Sequence, residues 1–326
     1  SVGHIRLKSS TGELSFTTAD GWNMSDDLAV SGNLDVTGDI SVPNLPNQNM
    51  IINGGFDIWQ RGNNITGNYG ADRWRMQSPI DVSMEKSPSP NGQLWPYHAT
   101  FKRQNTVGGV AFSTSVELPE AGANGVYVVG TTWTLSFMFN AGQSKNLNVD
   151  IGFADNSLGT NTVSLSQVAH PVTASTWMKV TQTFTINATP AGSNLALRVS
   201  LFMADMPIQL GSSIAQVKLE EGDTATTFIR AGNNIAGELA MCQRYYSVKW
   251  GSADFNYNTT NDFRLSLPHP VQMRTTPAVS AYAGVTSTWN SVYPSRTGNS
   301  FYRTASGSLT SVGNTDSPAV QSDAEL

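Results

Sequence analysis

Thr132-Trp-Thr-Leu-Ser-Phe-Met-Phe139 and Leu195-Ala-Leu-Arg-Val-Ser-Leu-Phe202 are the two stretches that decide the fold. Trp133, Leu135 and Phe137 fall on alternate residues of the first, and Leu195, Leu197, Val199 and Leu201 on alternate residues of the second. Side chains alternate between the two faces of a strand, so each stretch reads as a strand with one apolar face. Further strand-sized runs lie at 50–52, 99–101, 110–116, 147–153, 177–186 and 214–219, separated by Gly, Asn, Ser and Pro turns. The stretch 72–76 reads as one more, with Trp74 facing the core and Trp59 packed with it. This patterning predicts an all-β chain with a central β-sandwich of the jelly-roll kind.

The flanks read differently. Leu28, Val30 and Gly32 are followed by Leu34, Val36 and Gly38 and then by Ile40 and Val42, a six-residue repeat of short strand and turn. Residues 1–46 are therefore expected to form a thin repetitive β stem. A stem of this size needs a disulfide, a metal or partner chains. With a single cysteine and four scattered histidines, oligomerisation is the expected solution. The jelly roll is expected over 47–232. Ile235, Leu239, Cys242 and Tyr246 lie on one helical face behind Asn233 and Asn234, which predicts an N-capped connecting helix within 233–247. Short strands at 263–267 and 278–282 make 248–326 a small C-terminal β-sandwich tip.

Composition narrows the function. Of the 326 residues, 13% are charged, against about 25% in an ordinary domain. Ser, Thr and 27 Asn cover the surface instead. Nineteen basic against 24 acidic residues, without a basic cluster, speak against a nucleic-acid partner. No apolar run approaches the ~18 residues of a membrane span, so membrane insertion is not expected. The lone Cys242 excludes an intramolecular disulfide and a multi-cysteine zinc site.

Catalytic signatures are missing as well: there is no phosphate-binding Gly loop, no His-Glu-x-x-His and no Gly-x-Ser-x-Gly. No cofactor, metal or enzymatic activity is expected. His4, His98, His170 and His269 read as surface or loop residues. A pair of carboxylates would suffice for glycoside hydrolysis. Asp57, Asp72, Asp81, Asp150, Asp155, Glu220, Glu221 and Asp254 are available, yet they read as solvated turn residues, and no loop gathers them around a calcium ion. Aromatic residues are more telling. Tyr257, Trp289, Tyr293 and Tyr302 in the last region, and Tyr69, Trp95 and Tyr97 in the jelly roll, lie among Gly, Asn and Pro. A ring in a polar loop offers a flat apolar face suited to the C–H face of a sugar.

Six motifs occur in a fixed order: Met50-Ile-Ile-Asn-Gly-Gly-Phe-Asp-Ile-Trp-Gln-Arg-Gly62, Tyr69-Gly-Ala-Asp-Arg-Trp-Arg75, Val217-Lys-Leu-Glu-Glu-Gly-Asp-Thr-Ala-Thr-Thr-Phe228, Glu238-Leu-Ala-Met-Cys-Gln-Arg-Tyr-Tyr246, Pro270-Val-Gln-Met-Arg-Thr-Thr-Pro277 and Asp323-Ala-Glu-Leu326. Together they resemble the landmarks of bacteriophage tail fibre proteins over residues 50 to 326. The resemblance implies a homotrimer located in the virion. It further implies adsorption to a bacterial surface glycan or outer-membrane protein, with other phage tail proteins as partners. On that reading Trp289, Tyr293, Arg296, Tyr302 and Tyr257 form the receptor-binding tip, and Tyr69, Trp95 and Tyr97 an alternative glycan site in the jelly roll. The motifs bring no catalytic residue with them and read as scaffold, with Gln243 and Arg244 turned toward a neighbouring chain or the next domain. The enzymatic alternative is a polysaccharide depolymerase working through paired carboxylates.

Overall fold

The computed structural model describes residues 49–66, 69–77, 81–90, 92–93, 95–117, 128–154, 163–190, 196–250, 262–281, 291–304 and 319–325. The expected stem at 1–46 lies outside them, as do Leu195, Tyr257 and Trp289. The strands are β1 (Asn64–Thr66), β2 (Arg75–Met76), β3 (Val82–Pro88), β4 (Tyr97–Arg103), β5 (Gly108–Glu117), β6 (Thr132–Asn140), β7 (Lys145–Ala154), β8 (Val163–Val172), β9 (Trp177–Thr185), β10 (Ala196–Met206) and β11 (Ser212–Glu221). After helix α1 (Ile235–Gln243) come β12 (Tyr246–Trp250), β13 (Asp262–Pro268), β14 (Ala278–Ala281), β15 (Ser291–Pro294), β16 (Gly298–Thr304) and β17 (Ala319–Asp323). No described helix is long and apolar enough to cross a membrane.

The protein is an all-β sandwich. A six-stranded antiparallel sheet, in the order β1-β3-β4-β11-β6-β9, faces a five-stranded one, β2-β5-β10-β7-β8. The alternation in the sequence is the cause. Trp133, Leu135, Phe137 and Phe139 of β6 and Leu197, Val199, Leu201 and Met203 of β10 are all buried in one core with Phe101, Phe112 and Trp74. Tilted aromatic pairs help to fill it, with Phe101 and Phe112 only 4.3 Å apart between centroids. Two three-stranded sheets, β12-β17-β14 and β13-β16-β15, make the C-terminal part. The buried Asn299 Nδ2 donates to Ser322 Oγ at 2.8 Å between them.

Several local expectations change. Residues 50–52 form a turn, in which Asn49 Oδ1 accepts from Ile51 N–H at 2.9 Å and Asn53 adopts φ 58°. Of 72–76 only Arg75 and Met76 are extended, because Arg73 sits at φ 71°, although Trp74 is fully buried as expected. Strands β3 and β8 have no counterpart in the apolar pattern: β3 turns only Val82 and Met84 inward as apolar residues, and β8 is a largely exposed edge strand. His98 and His269 are buried, and His170 belongs to β8, where it pairs with Gln182 at 3.0 Å.

Helix α1 is capped by Asn234, whose Oδ1 accepts from Gly237 N–H at 2.9 Å. Its buried face, however, is Glu238 and Cys242, while Ile235 is 54% exposed. The reason is the Glu238 carboxylate, which accepts the backbone N–H groups of Asn53 and Gly232 and so turns that side inward. Burial holds this carboxyl above its ordinary pKa. The helix ends at Gln243, and Tyr246 already belongs to β12.

The six landmark motifs converge as scaffold. Asn53 Nδ2 donates to Ile58 O and Asp72 O, and Trp74 Nε1 donates to Asn53 O. Asn49 Nδ2 donates to Val217 O and Ile229 O. Asp72 accepts from Gln60 and lies 3.9 Å from Arg61. Arg61 and Arg73 both reach Glu325, with their guanidinium groups over the rings of Tyr246 and Tyr245 at 3.6 and 3.5 Å. Arg244 pairs with Glu117 at 3.6 Å, and Arg274 meets the same carboxylate at 3.2 Å. Gly54 lies so close to β11 that a Cβ there would stand 2.0 Å from Val217 O.

Two predictions test this scaffold. Gly54→Ala must displace backbone, so it should cost at least ~3 kcal/mol of unfolding free energy in urea titrations. Desolvation raises the Asp72 carboxyl from 3.8 to about 6, against the pull of Arg61. A raised pKa means that the folded state holds this proton more tightly than the unfolded state does. The stability contributed by Asp72 is therefore complete below its ordinary pKa and is lost as pH rises through about 6. Asp72→Asn removes this dependence. Its stability relative to the parent should rise between about pH 4 and about pH 7 in thermal melts, and a constant difference would count against this assignment.

Candidate functional site

The outer face of the five-stranded sheet follows from the same alternation that builds the core. On β10 the residues between the buried aliphatics are Arg198, Ser200 and Phe202. The pairing registers align Arg75, Ser113, Ser200, Asp150 and Gln167 in one row across β2, β5, β10, β7 and β8. At about 4.8 Å between strands the row spans about 19 Å. Along it lie a half-buried guanidinium and carboxylate, an exposed amide and two hydroxyls, those of Ser113 and Ser200, that are themselves buried. Gln77 Nε2 donates to both Ser113 Oγ and Ser200 Oγ at 3.4 Å, and Arg198 Nη2 donates to Ser200 Oγ at 3.4 Å. In the next row of the register, Phe202 is 39% exposed. A Cβ on Gly109 would fall 2.5 Å from the Phe202 ring, so the absence of a side chain there lets the ring lie against β5. The face thus joins one apolar platform to a set of donors and acceptors, a chemistry suited to polyhydroxylated ligands.

The jelly-roll residues Tyr69, Trp95 and Tyr97 are not brought together. Tyr69 bridges to Arg75 beside the five-stranded sheet, with Arg61 4.8 Å from its ring centroid, and burial raises its hydroxyl pKa. Trp95 and Tyr97 belong to the other side of the sandwich. Trp95 is 8% exposed, packed edge-on against Trp177 at 5.3 Å, and His98 meets the same ring at 5.3 Å. Desolvation lowers the pKa of His98, with Glu85 opposing. Tyr97 is exposed, with Lys86 Nζ 3.9 Å from its ring centroid. Of the three, only Tyr97 counts as exposed.

In the expected tip, Tyr293 is 63% exposed, whereas the exposed Arg296 donates from Nε to Met273 O at 2.9 Å. The register pairs Tyr293 with Ser300 and Tyr302 with Ser291, so backbone positions 293 and 302 are diagonal neighbours on β15 and β16. The side chain of Tyr302, like the whole of Tyr257 and Trp289, lies outside the described residues.

The carboxylates are mostly engaged by the scaffold. Asp57 pairs with Arg230 at 2.7 Å, and Glu220 with Lys218 at 2.9 Å in a fully buried pair. Asp81 accepts from Asn105 N–H and Thr106 N–H, and those hydrogen bonds, led by the Thr106 hydroxyl, lower its pKa. Glu221 is exposed at the end of β11, and Asp155 and Asp254 fall outside the described residues. Asp150 lies half-buried on the polar face. Among the described residues no cluster of His, Cys, Asp and Glu could hold a metal. Cys242 is fully buried, and desolvation raises its thiol well above the ordinary range.

Sequence reading passed over Arg75, Ser113, Arg198, Ser200 and Phe202. A signal was present: Phe202 lies on the polar side of the alternation in 195–202, where an aromatic has no core to enter.

No protein-family model and no curated protein matches the chain. Solved structures do overlap with part of it. A tailspike protein 4 domain of bacteriophage CBA120 is 14% identical, with a TM-score of 0.37, over 53% of this chain and 21% of its own. The xylan-binding CBM22-1 domain of Paenibacillus barcinonensis Xyn10C is 12% identical, with a TM-score of 0.32, over 50% of this chain and 94% of its own. A cyclase from Fischerella sp. TAU is 13% identical, with a TM-score of 0.38, over 55% and 98%. The chain thus spans about a fifth of the tailspike domain. Overlaps this loose carry no residue role across.

The stability consequence is direct. Phe202→Ala should cost under about 1 kcal/mol in urea denaturation, against about 3–5 kcal/mol for Phe101→Ala in the core.

Proposed function

We propose that the chain is the receptor-binding part of a phage tail fibre, a homotrimer that adsorbs to a glycan on the bacterial surface without cleaving it. One observation carries the glycan assignment: the outer face of the five-stranded sheet sets the exposed Phe202 beside the row from Arg75 to Gln167. The ordered motif series supports the tail-fibre reading. Engagement of Asp57, Asp72, Asp81 and Glu220 by scaffold partners supports binding rather than hydrolysis. Three copies turn a weak site into a strong attachment, since linked sites raise overall binding by about 10² to 10⁴. The strong exposure of Tyr293 favours a second reading, in which the tip, with Arg296, Tyr302, Tyr257 and Trp289, touches the receptor.

Retention on an array of bacterial surface glycans tests both. The parent should retain a subset of glycans, and Phe202→Ala should weaken retention by about tenfold, about 1.4 kcal/mol. Loss with Tyr293→Ala but not with Phe202→Ala would move the site to the tip. Light scattering should give three times the 35.0 kDa chain mass, and a monomer would overturn the trimer.

A further inference from the structure

The outer face of the six-stranded sheet carries a second row of polar groups, on the opposite side of the core from Phe202. The pairing registers align Glu85, Thr100, Ser213, Asn140 and Trp177 across β3, β4, β11, β6 and β9. Their neighbours in sequence, Met84, Phe101, Ile214, Phe139 and Met178, pack in or against the core, so these five side chains face outward. All five are half-buried, and none is sealed from solvent. At about 4.8 Å between strands the row spans about 19 Å, a length that suits an oligosaccharide rather than a single sugar.

Trp177 supplies the apolar end. Its ring meets those of Trp95 and His98 edge-on, each at 5.3 Å between centroids. His98 belongs to β4, three strand spacings from β9 and thus about 14 Å away along the sheet, so the indole and the imidazole lean toward each other over β6 and β11. Trp95 and His98 are themselves buried and serve only to hold the indole in place. A ring fixed in this way loses little freedom when a ligand stacks on it. Beside it, the side-chain amide of Asn140 makes no hydrogen bond to the described residues and can both donate and accept. Next come linked hydroxyls, with Thr100 Oγ1 2.9 Å from Ser213 Oγ and 3.0 Å from Ser87 Oγ, and the outer members of this chain can bond once more. At the far end the Glu85 carboxylate is paired with Lys102 at 3.1 Å, so the only charge in the row is compensated.

We propose that this face is a second saccharide site, and that it takes a neutral oligosaccharide lying across the strands. One sugar stacks its C–H face on Trp177, and the hydroxyls of the following sugars meet Asn140, Ser213 and Thr100. Glu85 accepts from a hydroxyl at the other end. The site stands on its own residues and does not depend on the five-stranded face.

An array of neutral oligosaccharides, short fragments of dextran, mannan, galactan and xylan, tests it with the intact chain. The parent should retain at least one of them. Trp177→Ala should weaken that retention by about tenfold or more, as loss of an aromatic anchor does, and Asn140→Ala and Thr100→Val by smaller factors. Phe202→Ala should leave it unchanged. Should Trp177→Ala, which strips the support from Trp95, fail to fold, Asn140→Ala and Thr100→Val carry the test. Retention that survives Trp177→Ala in folded form, or that survives both of the other variants, overturns the inference. Loss with Phe202→Ala alone also overturns it and leaves the five-stranded face standing. Retention of no neutral fragment by the parent overturns it as well, while the array of bacterial surface glycans still tests the five-stranded face.

Discussion

Glu325 is held by two arginines that stack on two consecutive tyrosines, and much of the architecture depends on that contact. Arg61 and Arg73 belong to the turns that open the sandwich, Tyr245 and Tyr246 to the exit of α1, and Glu325 to the residues after β17. Segments far apart in sequence are locked at one point. Burial pushes the Tyr245 hydroxyl up to about 12, against the pull of Arg73. Breaking a buried pair of this kind typically costs about 3–5 kcal/mol, because the surviving charge is left without a partner. The same geometry explains why the motif residues are polar although most are buried. Asn53, Asp72 and Glu238 each satisfy backbone groups at turns that no regular sheet could satisfy.

The central strand β10 serves two ends at once. Its inward residues are aliphatic and fully buried, and its outward residues are a guanidinium, a hydroxyl and an aromatic ring. A polar face built largely of Ser, Asn and Gln offers donors and acceptors for hydrogen bonding. The Phe202 ring depends on the missing side chain at Gly109, so the candidate site and the local packing share one constraint.

Much of the fold was legible because strand periodicity is local. Six of the predicted strand runs correspond to β4, β5, β6, β7, β9 and β11, and 195–202 to β10. The helix was legible from its cap and spacing, but its orientation was not. Glu238 looks solvent-facing in any helical wheel, and only the N–H groups of Asn53 and Gly232 draw it inward. The aromatic candidates divided for the same reason. Trp95 stands in a polar loop, as an exposed platform would, yet Trp177 from a distant strand covers it.

By itself, the sequence determined that the chain is all-β, that its core lies between alternating strands, that Cys242 is buried and that the ordered motifs are scaffold. These follow from residue spacing and composition, which act over a few neighbours. Only the tertiary structure decided which outer face carries an aromatic beside polar groups and which tryptophans are covered. Those depend on which strands lie side by side, and strand order is set by long-range packing that no local period encodes.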